Sequence, residues 1–207
     1  MTKNSGAAGN EMPANEARDT YIQNVTIGAR KPLNAPIELV EYNPAWPSLY
    51  EQEAAKINGA LGKKILGLFH VGSTSVPGLC AKPIIDILLV IADAADESAY
   101  IPQLSEAGYA LRIREPGWHE HRLLKGTQPD INLHVFGKDT PEAERMLRFR
   151  DWLRENAEDR ELYANKKREL AQQIWKDIQH YADAKTKVVE SILERASKTK
   201  LTDRHNR

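Results

Sequence analysis

The sequence predicts an α/β (α+β) domain, a mixed twisted sheet with flanking helices and a C-terminal helical part, on three observations. Residues 83–91 form an apolar run of strand length broken only by Asp86, the pattern of a strand covered on both faces. Shorter stretches around 109–114, 119–125 and 131–136 alternate and are punctuated like strands. After Gly137 the apolar spacing changes to that of helices.

The elements follow in order. Residues 1–19 carry Gly, Ala, Asn and Glu without a periodic apolar pattern, which predicts a mobile tail; 20–36, interrupted by Pro32 and Pro36, predict an extended arm. The folded domain is expected over 37–197. It would begin with a strand at 37–40, a turn at 43–47 and a helix over 48–61 entered through Pro47 and ended by Gly62. A strand at 65–71, a loop, and the buried strand at 83–91 come next. A helix over 97–107 should stop at Gly108 and lead into the three short strands. Thr140 and Pro141 open a helix with Glu142 and Glu144 at its positive end, running to about 155; two more are expected over 159–176 and 180–197, then a polar tail at 198–207. The sequence holds no internal repeat.

Composition excludes several classes of function. The 29 basic and 29 acidic residues cancel, so there is no global pull toward nucleic acid, and no nucleic-acid partner is expected. No window approaches the ~20 apolar residues that a membrane-spanning helix needs. The first 19 residues lack the apolar run of a secretory signal, and a cytoplasmic protein is expected. Cys80, the single cysteine, excludes an intrachain disulfide and a multi-cysteine zinc site, and reads as a small packed thiol.

Chemistry concentrates after residue 70. Gly72, Ser73, Thr74, Ser75 and the Pro77-Gly78 turn follow a strand, and Lys82 is within reach. Glycine lets backbone amides approach an anion and the hydroxyls can donate to phosphate, although such a turn also suits a plain connection, and the spacing is not that of a Walker loop. Asp86 is sharper. An ionised carboxylate inside an apolar strand needs a partner, either a structural salt bridge to Arg or Lys or a metal or substrate.

The stretches "LVEYNPAWPSLY", "HVGSTSVPGLCAKPIIDILLVI", "AGY", "NLHVF", "FRDWLR", "YANKK" and "YADAK", in that order, resemble the GrpB-like family over roughly residues 37–197. The resemblance implies a fold of the polymerase-β-like nucleotidyltransferase superfamily, whose signature is Gly-Ser, about a dozen residues, then Asp-apolar-Asp or Asp-apolar-Glu on a strand. Here Gly72-Ser73 is followed by twelve residues and then Asp86-Ile87-Leu88, so an aliphatic side chain takes the place of the second carboxylate. By resemblance the protein binds a nucleoside triphosphate with magnesium and acts on a small-molecule acceptor, or keeps the phosphate pocket as a non-catalytic module. Asp86 is the implied magnesium ligand. His134, in the matching "LHV" motif, is a metal ligand, phosphate contact or general base, or else a structural strand histidine.

Two helical stripes each contain one lysine: Tyr163, Lys167, Leu170, Ile174 and Tyr181, Lys185, Val188, Ile192. Both Tyr-x-x-x-Lys pairs match the family's motifs. They imply lysines at the pocket edge, with Lys185 on phosphate and Lys167 either there or snorkelling to solvent. Arg122, beside His119 and His121, is a further anion-contact candidate; the two histidines alone are a poor metal predictor. Arg150-Asp151 reads as a structural ion pair.

Overall fold

The computed structural model describes residues 14–30 and 33–205. Five strands, β1 (Ile65–Val71), β2 (Ile85–Ile91), β3 (Ala110–Glu115), β4 (His121–Thr127) and β5 (Asp130–Gly137), form one sheet in the order β1-β2-β5-β4-β3. Only the β2–β5 pair is parallel; the other pairs are antiparallel, so the sheet is mixed as expected.

Side-chain alternation gives the sheet two different faces. Ile85, Ile87 and Leu89 of β2, with Leu124, Leu133 and Val135 of β4 and β5, pack against Trp46, Ile57 and Leu61 of α2 (Trp46–Leu61) and Leu104 of α3 (Ile101–Glu106). Burying these large aliphatic side chains, at ~1.5–3 kcal/mol each, is what holds that face together. On the other face Leu88, Phe136 and Val71 meet Ala143 of α4 (Pro141–Glu155). Asp86, Asn132 and His134 alternate to this second face, beside α4 and α7 (Thr186–His205).

Several elements differ from expectation. Residues 14–25 form helix α1 (Ala14–Val25) in place of a tail and arm, docked by the buried Ile22, by Arg18 on Asp183 at 2.7 and 2.9 Å, and by the Tyr21 hydroxyl on Glu115 at 2.6 Å. Distant carboxylates, invisible to a local reading, supply what the sparse apolar pattern lacks. The tail expected over 1–13 lies outside the described residues. Residues 37–40 contribute one bridge, Val40 to Ala81, with no named strand. The 97–107 helix is a 3-10 turn, Glu97–Ala99, followed by α3, which starts afresh where Pro102 has no N–H to donate. The last expected helix is two: α6 (Ile178–Asp183), capped by Asp177 accepting from the Gln179 amide at 2.9 Å, and α7, which continues to His205 through most of the expected tail. Before them α5 spans Ala157–Ala171. No helix among the described residues is long and apolar enough to cross a membrane.

Arg122 is turned to the α2/α3 face, away from Asp86 and His134. Its guanidinium, 5% exposed, donates to Glu97 at 2.6 Å, and Glu97 also takes Arg114. Arg122 is therefore a structural ion-pair partner and not an anion contact of the cleft. The Arg114 bond first, then that of Arg122, pulls the Glu97 carboxyl down to about 2 against the effect of burial. Glu97→Gln leaves a buried guanidinium with only Glu120 as counter-charge and should lower stability by about 2–3 kcal/mol in denaturant melts. Because the folded pKa is depressed, this contribution is present above the ordinary carboxylate value and lost as pH falls toward 2; the wild-type advantage should vanish in that window.

Candidate functional site

The β1–β2 connection folds back over the sheet through Gly72, whose φ of +66° precedes a 3-10 turn, Ser73–Ser75. Its backbone passes so close to β2 that a Cβ there would lie 2.3 Å from Asp86 Oδ2. Two hydroxyls expected to meet phosphate are used inside the loop: Thr74 Oγ1 donates to the Ile84 carbonyl and lies 3.0 Å from His70 Nε2, while Ser75 Oγ donates to the Gly72 carbonyl at 2.6 Å. His70, stacked on Tyr50, is pushed down to about 4 by burial, so it is neutral and donates to Thr74. Arg150 and Arg154 hold the same loop from α4 through the carbonyls of His70 and Ser75. Arg150 also pairs with Asp151 at 2.7 Å, as the sequence suggests. Ser73 hydrogen-bonds the buried Tyr163 and faces the open space.

Asp86 lies in register with Asn132, and Leu88 with His134, across the parallel β2–β5 pair. Asn132 Nδ2 donates to Asp86 Oδ1 at 2.7 Å, and His134 Nε2 is 3.8 Å from the same oxygen. No lysine or arginine among the described residues is within ion-pair distance of Asp86, so the structural salt bridge is absent. Burial pushes this carboxyl up, but His134, Asn132 and the charge of Lys82 outweigh it and hold it below its ordinary value.

Behind His134 runs a chain of hydrogen bonds along the sheet face. His134 Nδ1 meets His121 Nε2 at 3.1 Å, His121 Nδ1 meets Glu115 Oε2 at 2.6 Å, and Tyr21 of α1 donates to Glu115 Oε1. Burial lowers the His121 pKa, and its bond to Glu115 only partly offsets this. A neutral His121 gives its one proton to Glu115 and accepts from His134 Nδ1. His119 sits apart in the preceding turn with φ of +54°, so the two sequence-adjacent histidines share no site.

Asp86 stands where two cavities meet. The larger, about 670 Å³, is lined by Lys82, Lys167, Lys185, Tyr181, Asp86 and His134. The smaller, about 230 Å³, lies between α4 and α7 with Met146, Phe149, Leu153 and Val189 on its walls, and shares Gly72, Ser73, Asp86 and Lys185 with the first. Lys185 lies at the α6–α7 junction, so it leaves the apolar stripe and faces the cleft. Its ammonium is 4.5 Å, and that of Lys82 5.7 Å, from the Tyr181 ring centroid. Neither lysine has a hydrogen-bond or ion-pair partner among the described residues, and the buried Tyr181 hydroxyl has no hydrogen-bond partner. Burial, then the neighbouring Lys185, brings Lys82 down to about 8; burial brings Lys167 to about 7, its ammonium donating to the Cys80 carbonyl. Lys167 is buried and does not snorkel.

Lys125, bonded to Asn132 and Asp130, and Arg30 of the N-terminal arm also line the larger cleft. Neither is singled out by sequence. Lys125 is one of many strand lysines, and Arg30 enters only because α1 docks.

The donor set tests the magnesium that the family resemblance implies. Leu88, fully buried against α4, replaces a second carboxylate, and among the described residues no group of three or more His, Cys, Asp or Glu could hold a metal. Magnesium bound by one carboxylate fits when a nucleotide's phosphates bring it and fill its remaining positions; a resident magnesium does not fit.

The profile described as GrpB protein matches residues 36–195. A UPF0157 protein of Halalkalibacterium halodurans is 60% identical over 87% of this chain and 93% of its own. The crystal structure of conserved protein GrpB from Enterococcus faecalis superimposes with a TM-score of 0.70 at 32% identity, covering 79% of this chain and 99% of that one. A protein of Mycolicibacterium paratuberculosis named dephospho-CoA kinase is 27% identical over 77% of this chain, which spans 46% of that protein's length.

Proposed function

The chain belongs to the GrpB family, and on that premise we propose that it is a nucleotidyltransferase-type protein that binds a nucleoside triphosphate with magnesium and acts on a small-molecule acceptor. The observation that carries this reading is the pair Lys82 and Lys185, two desolvated ammonium groups with no ion-pair partner at contact distance among the described residues, in a cleft that ends at Asp86. Burying cations without carboxylates is costly, and a polyanion supplies what they lack. Lys167 deepens the same positive field, and the free Tyr181 hydroxyl can donate to a phosphate oxygen.

In this reading Gly72 and Ser73 bring the loop against the phosphates, and Lys82 and Lys185 balance their charge. A divalent cation, when bound, would neutralise phosphate charge at the Asp86 carboxylate. His134 Nε2 is placed to take a proton from an acceptor reaching Asp86, and the smaller cavity offers that acceptor apolar walls. The distant relatives named dephospho-CoA kinase go in the same direction, toward nucleotide chemistry. A cytoplasmic location, where nucleoside triphosphates are at hand, accords with this role.

A second reading, a phosphate-binding module without turnover, is favoured by Leu88 in place of the second carboxylate. The two separate when the protein is incubated with magnesium, the four common nucleoside triphosphates and mixed alcohols and amines. Pyrophosphate release marks the enzyme; binding without release marks the module.

Calorimetry with inorganic triphosphate tests the shared premise. Lys185→Met keeps the apolar stem and should weaken triphosphate by ~10-fold or more while leaving adenosine unchanged; equal losses would assign Lys185 to packing. Because burial has lowered Lys82 to about 8, its charge fades as pH rises through that value, and triphosphate affinity should fall between pH 7 and 9.

A further inference from the structure

We propose that helix α1 and the arm after it complete the larger cleft with a nucleoside subsite, an apolar slot at the sheet edge that takes the heterocyclic base of the ligand. The slot rests on the reading above for its phosphate end and adds what the ligand carries beyond phosphate.

Ile22 and Ile27 line the larger cleft from the N-terminal segment, and Ile113 and Leu123 line it from the sheet. Ile113 is in register with Leu123, and Leu123 with His134, so both aliphatic side chains continue the face that carries Asp86 and Asn132. The cleft is thus charged at one end and aliphatic at the other. In the strand order β3 lies three places from β2, about 14 Å at ~4.8 Å per strand. A nucleoside triphosphate has that reach: with its phosphates near Asp86 and the lysines, its base falls over Ile113 and Leu123. The cavity of about 670 Å³ has room for the whole molecule. Ile27, Ile113 and Leu123 are only half-buried, so they keep apolar area for a base to cover.

The N-terminal segment turns this end of the sheet into a slot, because it is fastened on both sides of the cleft. On the sheet side Thr26 bridges to Ile113, and the Ile27 amide donates to the Arg112 carbonyl at 2.8 Å. On the helical side Arg18 holds Asp183 at the end of α6, and Arg30 holds Asp177, the cap of that helix, at 2.8 Å. The segment therefore spans from the sheet edge to the helix that carries Tyr181. A base entering beneath it is withdrawn from water by the arm as well as by the sheet. The charged end of the cleft falls within the residues matched by the family profile, 36–195, whereas Ile22 and Ile27 fall outside them. Affinity for phosphate and affinity for a base are thus built by different stretches of the chain, which makes Ile27 a specificity-determining residue.

Calorimetry on the full chain compares inorganic triphosphate with the four common nucleosides and their triphosphates. At least one nucleoside triphosphate should bind ~10–100-fold more tightly than inorganic triphosphate. Ile27→Ser should weaken that nucleotide by ~5–10-fold and inorganic triphosphate by less than ~2-fold, a split that general loosening of the fold does not produce. Leu162→Ser, at an exposed residue of α5 that lines neither cavity, should change neither ligand. In the wild type, hydrogen exchange over residues 20–30 should slow with the nucleotide and not with inorganic triphosphate, a readout that needs no variant to fold. If inorganic triphosphate binds and no nucleoside triphosphate binds more tightly, or if Ile27→Ser weakens both alike, the subsite is overturned and the lysine reading stands. If inorganic triphosphate fails to bind while a nucleoside binds and depends on Ile27, the subsite stands and the lysine reading falls. Binding of neither overturns both.

Discussion

Gly72→Val is expected to abolish binding of inorganic triphosphate and to lower stability by about 2–4 kcal/mol, a larger effect than any other loop substitution in this protein. Two costs coincide at this position. The φ of +66° is one that side chains rarely adopt, and the added Cβ would lie 2.3 Å from Asp86 Oδ2 and 2.9 Å from its Cβ and Cγ. Asp86 has nowhere to retreat. Its backbone is paired to Val71 on one side and Asn132 on the other, and Asn132 grips its Oδ1. The loop must therefore lift, taking Ser73 away from the carboxylate. Gly78→Ala is the internal control: φ there is +78°, but nothing lies within 4 Å of the added Cβ. It should cost about 1 kcal/mol of backbone strain and leave triphosphate affinity intact. Equal loss of binding in both variants, measured by calorimetry beside denaturant melts, would show that loop rigidity alone matters and that contact with Asp86 does not.

The legible parts of this molecule are those set by short-range pattern. The 83–91 run predicts the central strand because nothing but burial on both faces explains so many aliphatic residues, and the lone carboxylate within it marks the candidate site. Alternation then places Asn132 and His134 on one face, and the parallel register brings both to Asp86. The roles of the loop hydroxyls are not legible in the sequence, because Thr74 and Ser75 are consumed by carbonyls that only the folded turn presents. Arg122 carries the right charge but the wrong parity on β4, where a neighbouring residue would have faced the cleft. Helix α1 was hidden for a different reason. Its docking depends on Asp183 and Glu115, residues 165 and 94 positions away, and no local period encodes them. The break between α6 and α7 likewise appears only with the tertiary fold, yet it is what turns Lys185 into the cleft.

Asp86→Asn is expected to separate stability from function more cleanly than any other change. In the wild type this carboxylate is ionised in a largely buried strand and its charge meets no lysine or arginine at contact distance. The variant keeps shape and the key bond, because an amide oxygen can still accept from Asn132. Apo stability should thus fall by no more than about 1 kcal/mol, since the bond from Asn132 is kept and only the favourable field that holds the carboxylate ionised is given up. Triphosphate without metal should bind as well or better, because Lys82 and Lys185 no longer share their field with a carboxylate, whereas triphosphate with magnesium should lose its metal-dependent gain. A structural role gives a different result: breaking a buried ion pair would cost roughly 3–5 kcal/mol in every ligand state. Denaturant melts with and without metal and triphosphate measure both quantities on the same samples. A variant markedly less stable without ligand, yet still binding magnesium-triphosphate, would remove Asp86 from the site and leave the lysine cleft to be explained alone.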